Sequence, residues 1–303
     1  MQLGGAIPGA QFVDPAVLAR IGNLDLVARS VVDGVINGLH KSPFFGTSVD
    51  FAEHRGYVAG DDIRRVDWRL FARTDKYYIK QYEADTNANL AILLDVSKSM
   101  SFASQGVSKL EYAKFLAACL GYLSHRQRDR VGLTTFDADI VTHVPPSAKH
   151  FNVLLHTLDQ AKAEKPGRLL ANLQLMAERF KRRSIIVLIS DLYENPTDLL
   201  EVMKPYSFGG NDVVLFHVLD PAEISFPYNE PSRFVDLESG DEMPVVPDKF
   251  AEQYRAMVQE HIASLRAKCS ESRIDYTLLE TSSPLDEALF NYLGNRERLM
   301  RVR

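Results

Sequence analysis

Between residues 15 and 40 apolar side chains return every three or four positions, among them Leu18, Ile21, Leu24, Val27, Val31 and Val35, the spacing that lines one side of an α-helix. Asp14 before Pro15 supplies a cap and a first helical residue, and Gly22-Asn23 marks a place for the helix to break. From residue 88 onward the pattern changes. Apolar runs of strand length at 90–94, 130–136, 184–189, 212–218 and 274–279 alternate with helical patterns at 110–123, 151–158, 169–180, 198–206, 251–269 and 285–293. Strands that are apolar at nearly every position are buried on both faces. The alternation therefore predicts an α/β fold with a mostly parallel central sheet and helices on both sides.

Two stretches interrupt this rhythm. Residues 41–87 are dense in mixed charge, aromatics and glycine, and read as turns, a short helix over about 62–73 and an extended segment at 77–82. Residues 220–247 are rich in proline and glycine and read as an insertion with a small hairpin around 234–243. The expected organisation is an N-terminal helical and charged extension over 1–87, followed by a sheet domain over 88–303.

Composition narrows the possible classes. A chain of 303 residues that is 46% hydrophobic and 25% charged can bury a sizeable core. Its 40 acidic and 35 basic residues leave a net charge of -5, which argues against nucleic acid and anionic membranes as general partners. No apolar run approaches the length of a membrane span, and the N-terminus lacks the basic and apolar regions of a signal peptide, so a soluble cytoplasmic protein is expected. Cys119 and Cys269 fall in helical segments and are expected to be buried free thiols.

Candidate chemistry sits at the carboxyl ends of two predicted strands, where the loops of open α/β sheets gather ligands. Asp95 follows Ile92-Leu93-Leu94, and Asp191 follows Leu188-Ile189-Ser190. Asp95, Ser97 and Ser99 alternate, so their oxygens can face one side and offer a hard cation such as Mg²⁺ or Mn²⁺ a carboxylate and two hydroxyls, with Asp191 completing the set. The same residues would also serve simply to cap the following helix. A third reading makes Asp95 the nucleophile of a metal-dependent phosphohydrolase, although enzymes of the haloacid-dehalogenase type favour a second Asp where Ser97 stands. P-loop, Gly-x-Ser-x-Gly and His-Glu-x-x-His motifs do not occur, and the eight histidines, His54, His125, His143 and His217 among them, show no ligand spacing.

The block from Glu53 to Arg73 carries nearly balanced charge and the single Trp of the chain. Arg55, Asp61, Asp62, Arg64, Asp67, Trp68 and Arg73 read either as a set of arginine-carboxylate pairs bracing the sheet domain or as a partner-binding surface, since Trp and Arg are common interface anchors.

The run Glu53-x-Arg55-x-Tyr57-x-x-Gly60-Asp61-Asp62-x-Arg64-x-x-Asp67-Trp68-x-x-x-Ala72-Arg73, followed by Leu93-Leu94-Asp95-x-Ser97-x-Ser99-Met100, resembles the domain-of-unknown-function 58 family of von Willebrand factor A-like proteins. Further matches fall at Arg130-Val131-Gly132-Leu133, Ile189-Ser190-Asp191-Leu192, His217-Val218-Leu219-Asp220-Pro221, Phe234-x-Asp236-x-Glu238-Ser239-Gly240 and Asp275-Tyr276. The resemblance implies a Rossmann-like von Willebrand factor A fold with a metal-ion-dependent adhesion site. Asp95, Ser97, Ser99 and Asp191 would hold Mg²⁺. It also implies a non-catalytic adaptor that works with a MoxR-type AAA+ ATPase on a client protein, in the short form of the family without membrane helices. A metal-free structural scaffold is the bland counterpart of that role. One element departs from the family pattern: where a Thr-bearing loop is usual, the chain reads Pro166-Gly167-Arg168-Leu169, and a guanidinium there would repel or replace a cation.

Overall fold

The computed structural model describes residues 14–41, 54–57, 68–80, 88–180, 183–286 and 288–289. Its centre is a six-stranded sheet in the order β10-β7-β6-β3-β4-β5. The strands are β3 (Asn89–Asp95), β4 (Arg130–Phe136), β5 (Ile140–Ser147), β6 (Ser184–Ser190), β7 (Asp212–Leu219) and β10 (Asp275–Glu280). All neighbours run parallel except β5, which lies antiparallel to β4 at one edge.

The two-residue period of these strands sorts their side chains into two cores. Leu90, Ile92, Leu94, Val131, Leu133, Ile185, Val187, Ile189, Val214 and Phe216 point to one face, while Leu93, Ile186, Leu188, Val213 and Leu215 point to the other. On the first face lie α4 (Lys109–Arg126), α5 (Phe151–Gln160) and the N-terminal helices α1 (Pro15–Ile21) and α2 (Leu24–Lys41). On the second lie α6 (Leu169–Ala177), α7 (Pro196–Phe208) and α9 (Pro247–Glu271). Burial on both faces is why these strands read as unbroken apolar runs.

The predicted break in the first helix falls at Gly22, whose φ of 63° ends α1 in a left-handed turn. Asp14 caps α1 by accepting from the Ala16 amide at 2.8 Å. Val27, Ala28, Val31, Val32 and Val35 of α2 are buried in the same core as β3 and α4, so the first helices share the hydrophobic interior of the sheet. Cys119 and Cys269 are free and buried, as expected.

Smaller elements complete the chain. β1 (His54–Gly56) pairs antiparallel with β2 (Tyr78–Lys80), with α3 (Trp68–Thr74) between them in sequence. After β7 come the short α8 (Pro221–Ser225) and a hairpin of β8 (Ser232–Val235) and β9 (Glu242–Val245), which fulfils the expected insertion. Among the described residues no helix is long and apolar enough to cross a membrane.

Strand β5 has no counterpart among the predicted elements, because its pattern is mostly half-exposed and contains Pro145 and Pro146. Prolines are tolerated there since an edge strand needs only one row of ladder bonds. The register of β4 and β5 shifts between Val131 and Leu133, and Gly132 sits at that shift. A Cβ on Gly132 would lie 2.8 Å from both the Pro146 nitrogen and the Val144 carbonyl oxygen. Gly132→Ala is therefore expected to lower unfolding free energy by about 1–3 kcal/mol. Gly34→Ala, where nothing lies within 4 Å, should instead raise it by about 0.5–1 kcal/mol. Urea denaturation of the two variants checks the contrast.

Candidate functional site

Five parallel strands end on one rim of the sheet, and the loops leaving β3 and β6 enclose a cleft of about 440 Å³. Asp95, Ser97, Ser99, Gly167, Ser190, Asp191, Tyr193, Glu194 and Glu238 are among its lining residues. All four residues that the sequence assigned to a cation thus meet in one place.

At its floor Asp95 is 4% exposed. One of its oxygens accepts from the Ser97 amide at 2.9 Å and the other from the Ser190 hydroxyl at 2.6 Å. Ser97 opens a single 3₁₀ turn over Lys98–Ser101 but makes no side-chain cap bond; its hydroxyl lies 3.1 Å from that of Ser99. The capping explanation for the two serines does not describe this loop. Their hydroxyls face each other and the cleft.

Burial pushes the Asp95 carboxyl up to about 7, the nearby Asp191 carboxylate adds to the rise, and the hydrogen bonds from Ser190 and Ser97 offset it in part. Asp191 is held differently. The Lys109 ammonium, fully buried at the start of α4, donates to Asp191 at 2.8 Å and to Glu223 at 2.7 Å, and its nitrogen lies 5.0 Å from the Tyr193 ring centroid. Burial would depress an ammonium, but the two carboxylates outweigh it and hold Lys109 above its ordinary value. Glu223 in turn accepts from the Asp220 amide at 2.8 Å, and Asp220 accepts from the Ser104 amide at 2.8 Å and the Ser104 hydroxyl. The loops after β3, β6 and β7 are thereby linked through one chain of charged hydrogen bonds.

The loop before α6 approaches closely. Lys98 donates its amide to the Lys165 carbonyl at 2.8 Å, and a Cβ on Gly167 would come within 2.7 Å of Ser97 Cβ. Only glycine allows this approach. The Glu238 side chain, from the tip of the hairpin, spans both loops: its oxygens accept from the Ser99 amide at 2.6 Å and the Gly167 amide at 2.7 Å.

The donor set fits a hard divalent cation. Asp95, Ser97, Ser99 and Asp191 present oxygen only; burial does most to raise Asp95, and a cation between the carboxylates would relieve the part that the Asp191 charge adds. Among the described residues no group of three or more His, Cys, Asp or Glu is arranged to hold a metal, so such an ion would depend on the serine hydroxyls and on water.

Arg168 does not take the role of a substitute cation. Its side chain is exposed and does not line the cleft, while the fixed positive charge beside Asp191 comes from Lys109. Lys109 and Glu238 were missed by the sequence reading. Nothing local marks a lysine for burial, although its position in the first turn of a helix is where the helix dipole disfavours a cation. Glu238 belongs to the Phe234-x-Asp236-x-Glu238-Ser239-Gly240 motif, whose part in the site was not apparent.

The charged N-terminal block is only partly described. Asp61, Asp62, Arg64 and Asp67 lie outside the described residues. The Arg55 backbone pairs with Ile79 in the β1–β2 ribbon, Arg73 is exposed in the last turn of α3, and Trp68 is 55% exposed. Trp68 meets Phe71 edge-on at 6.1 Å, and Phe71 stacks on Tyr77 at 4.5 Å. His217 is a core histidine; burial and the neighbouring His261 depress it to about 3, and its Nδ1 lies 2.7 Å from the Tyr276 hydroxyl.

A six-stranded sheet with a single antiparallel edge strand, helices on both faces and an Asp-x-Ser-x-Ser loop at the end of a central strand define a Rossmann-like von Willebrand factor A fold. Residues 53–267 match the family model described as "Protein of unknown function DUF58", and the chain belongs to that family. It is similar to uncharacterized proteins of Mycobacterium tuberculosis and Mycobacterium bovis, each 28% identical over 232 residues, which are 75% of this chain and 73% of the relative. Similar solved structures include an aerotolerance-related membrane protein from Bacteroides fragilis, with a TM-score of 0.49, 20% identity and coverage of 69% of this chain and 99% of that one. Another is the VWA domain of SpRpn10, with a TM-score of 0.41, 13% identity and coverage of 68% and 94% respectively.

Two outcomes follow for the charges at this site. Lys109→Met strands Asp191 and Glu223 without their counter-ion and should destabilise the fold by about 3–5 kcal/mol, whereas adding Asp191→Asn and Glu223→Gln should recover most of that loss; denaturant midpoints at pH 7 report both. The raised Asp95 carboxyl makes stability highest below the ordinary carboxylate range and lowers it as pH rises through about 7, because only the folded state holds the proton in that window. In a chelating buffer Asp95→Asn should therefore exceed the parent by about 1–3 kcal/mol at pH 8. Melting curves should show the difference shrinking toward pH 5.

Proposed function

We propose that this protein is a non-catalytic protein-interaction module whose docking face is the strand-end cleft. In this reading it is an adaptor between a MoxR-type AAA+ ATPase and a client protein, and it carries a metal-ion-dependent adhesion-like site. The observation that carries the proposal is the convergence of Asp95, Ser97, Ser99 and Asp191 in one open cleft. Oxygen ligands gathered there, with exposed Tyr193 and half-exposed Glu194 at the rim, suit recognition of a polar group on another protein.

Mg²⁺, where bound, would be held by Asp95, Ser97, Ser99 and Asp191, and would supply a positive centre for a partner's carboxylate. The alternative of a phosphohydrolase using Asp95 is less well supported, since Ser97 stands where such enzymes favour a second Asp.

Binding of the purified chain to a MoxR-type ATPase from the same organism is the direct measurement, made by interferometry with and without Mg²⁺. Tyr193→Ala combined with Glu194→Arg should weaken binding at least tenfold. Equal binding by the parent and this variant would exclude the cleft as the docking face. In parallel, Mg²⁺ should raise the melting temperature of the parent by mass action and leave a Ser97→Ala, Ser99→Ala double variant unmoved.

A further inference from the structure

We infer that the hairpin of β8 and β9 is a built-in occupant of the cleft: Glu238 fills the carboxylate place in cis, and a partner docks by presenting an acidic side chain that displaces it. This inference rests on the cleft being a docking face for a partner's carboxylate. It adds the competitor within the chain that docking must remove.

The cradle for the carboxylate is two backbone amides from loops far apart in the chain. Ser99 and Gly167 each donate to a different oxygen of Glu238, at 2.6 and 2.7 Å. Hydrogen bonds from backbone amides to a carboxylate are charge-assisted, shorter and stronger than those between neutral groups. The cradle does not depend on the hairpin for its assembly. The Lys98 amide bonds to the Lys165 carbonyl at 2.8 Å, and the contact of Gly167 with Ser97 fixes the distance between the loops.

The hairpin is built to present Glu238 and to let it go. Its stem is anchored on aromatic rings: Phe234 stacks on Phe226 at 5.5 Å and meets Tyr228 at 5.0 Å, while Phe226 lies 4.9 Å from Tyr254 of α9. Its tip is closed on itself. Asp236 accepts from the Glu238 amide at 2.7 Å, its own amide donates to the Asp241 carbonyl at 2.8 Å, and Gly240 turns the chain at a φ of 81°. Releasing the Glu238 side chain therefore breaks two hydrogen bonds at the cradle without unfolding tip or stem. A tethered carboxylate of this kind acts at high effective concentration, so a free one competes poorly until it is delivered by a surface with further contacts.

Charge makes the exchange one for one. Asp95, Asp191, Glu194 and Glu238 already line the cleft. A second carboxylate beside Glu238 would meet four others, whereas one that replaces Glu238 leaves the charge of the site unchanged.

The test needs no protein partner. The full chain is ¹⁵N-labelled and titrated with N-acetylglutamate α-amide in a chelating buffer, while the Ser99 and Gly167 amide resonances are followed. In the parent they should sit downfield and barely respond. In Glu238→Ala and in Glu238→Gln they should move upfield, and the probe should return them toward the parent positions with an affinity at least tenfold higher than for the parent; N-acetylglutamine α-amide should have no effect. Equal probe affinity in the parent and both variants would overturn the inference, and so would resonances that do not move in either variant. Because the ATPase is absent, this result stands apart from the adaptor reading: probe competition without ATPase binding would sink only the partner assignment, and ATPase binding without probe competition would sink only the hairpin's role.

Discussion

The carboxyl-end loops of this protein depend on one buried ammonium. Lys109 reaches from the first turn of α4 to Asp191 after β6 and Glu223 in α8, and Glu223 is tied onward through the Asp220 amide to the loop after β7. A parallel sheet delivers the ends of its strands to one rim but does not decide how the loops there pack. In a region with several acidic residues, this one cation keeps two largely buried carboxylates, Asp191 and Glu223, from standing uncompensated in low dielectric. Its charge also sets the character of the cleft. Lys109 pairs with Asp191, while Asp95 has no counter-ion among its hydrogen-bond partners, Ser97 and Ser190; burial first, and then the nearby Asp191 charge, raise its proton affinity.

That division bears on metal binding. A site with two free carboxylates attracts a divalent cation by charge alone, whereas one in which Asp191 is already paired with Lys109 attracts it less and depends more on Asp95, two serine hydroxyls and water. The loop before α6 brings no hydroxyl to the cleft. What it brings is the Gly167 amide, a donor that cannot ligate a cation but can hold an anion.

Much of the architecture was legible because it follows from periodicity. Leu90, Ile92 and Leu94 against Leu93 shows the two-residue alternation that buries β3 on both faces, and the same rule fixed β4, β6 and β7. Asp95 and Asp191 were legible for a related reason: each ends an apolar run, and in such sheets the run's end is the rim. Strand β5 escaped because edge strands carry little apolar signal and Pro145-Pro146 reads as a breaker. Lys109 and Glu238 escaped for a deeper reason. The partners of Lys109 lie 82 and 114 residues away, and those of Glu238 lie 139 and 71 residues away, so no local pattern distinguishes either from an ordinary surface charge.

The two missed residues act on the same cleft, and together they give the site a resting state. Lys109 offsets one negative charge by pairing with Asp191; Glu238 adds one and satisfies the amides that would otherwise wait for a ligand. Unsatisfied amides at a half-buried rim bind water or any passing anion, which makes a poor basis for discrimination. A cradle occupied by its own hairpin rejects weak acidic ligands, because each must first overcome a tethered competitor. Only a partner that adds contacts along the rim, at Tyr193 and Glu194 or on the hairpin itself, gains enough to open it. Selectivity in such a site comes from the requirement that recognition outside the cleft accompany exchange within it.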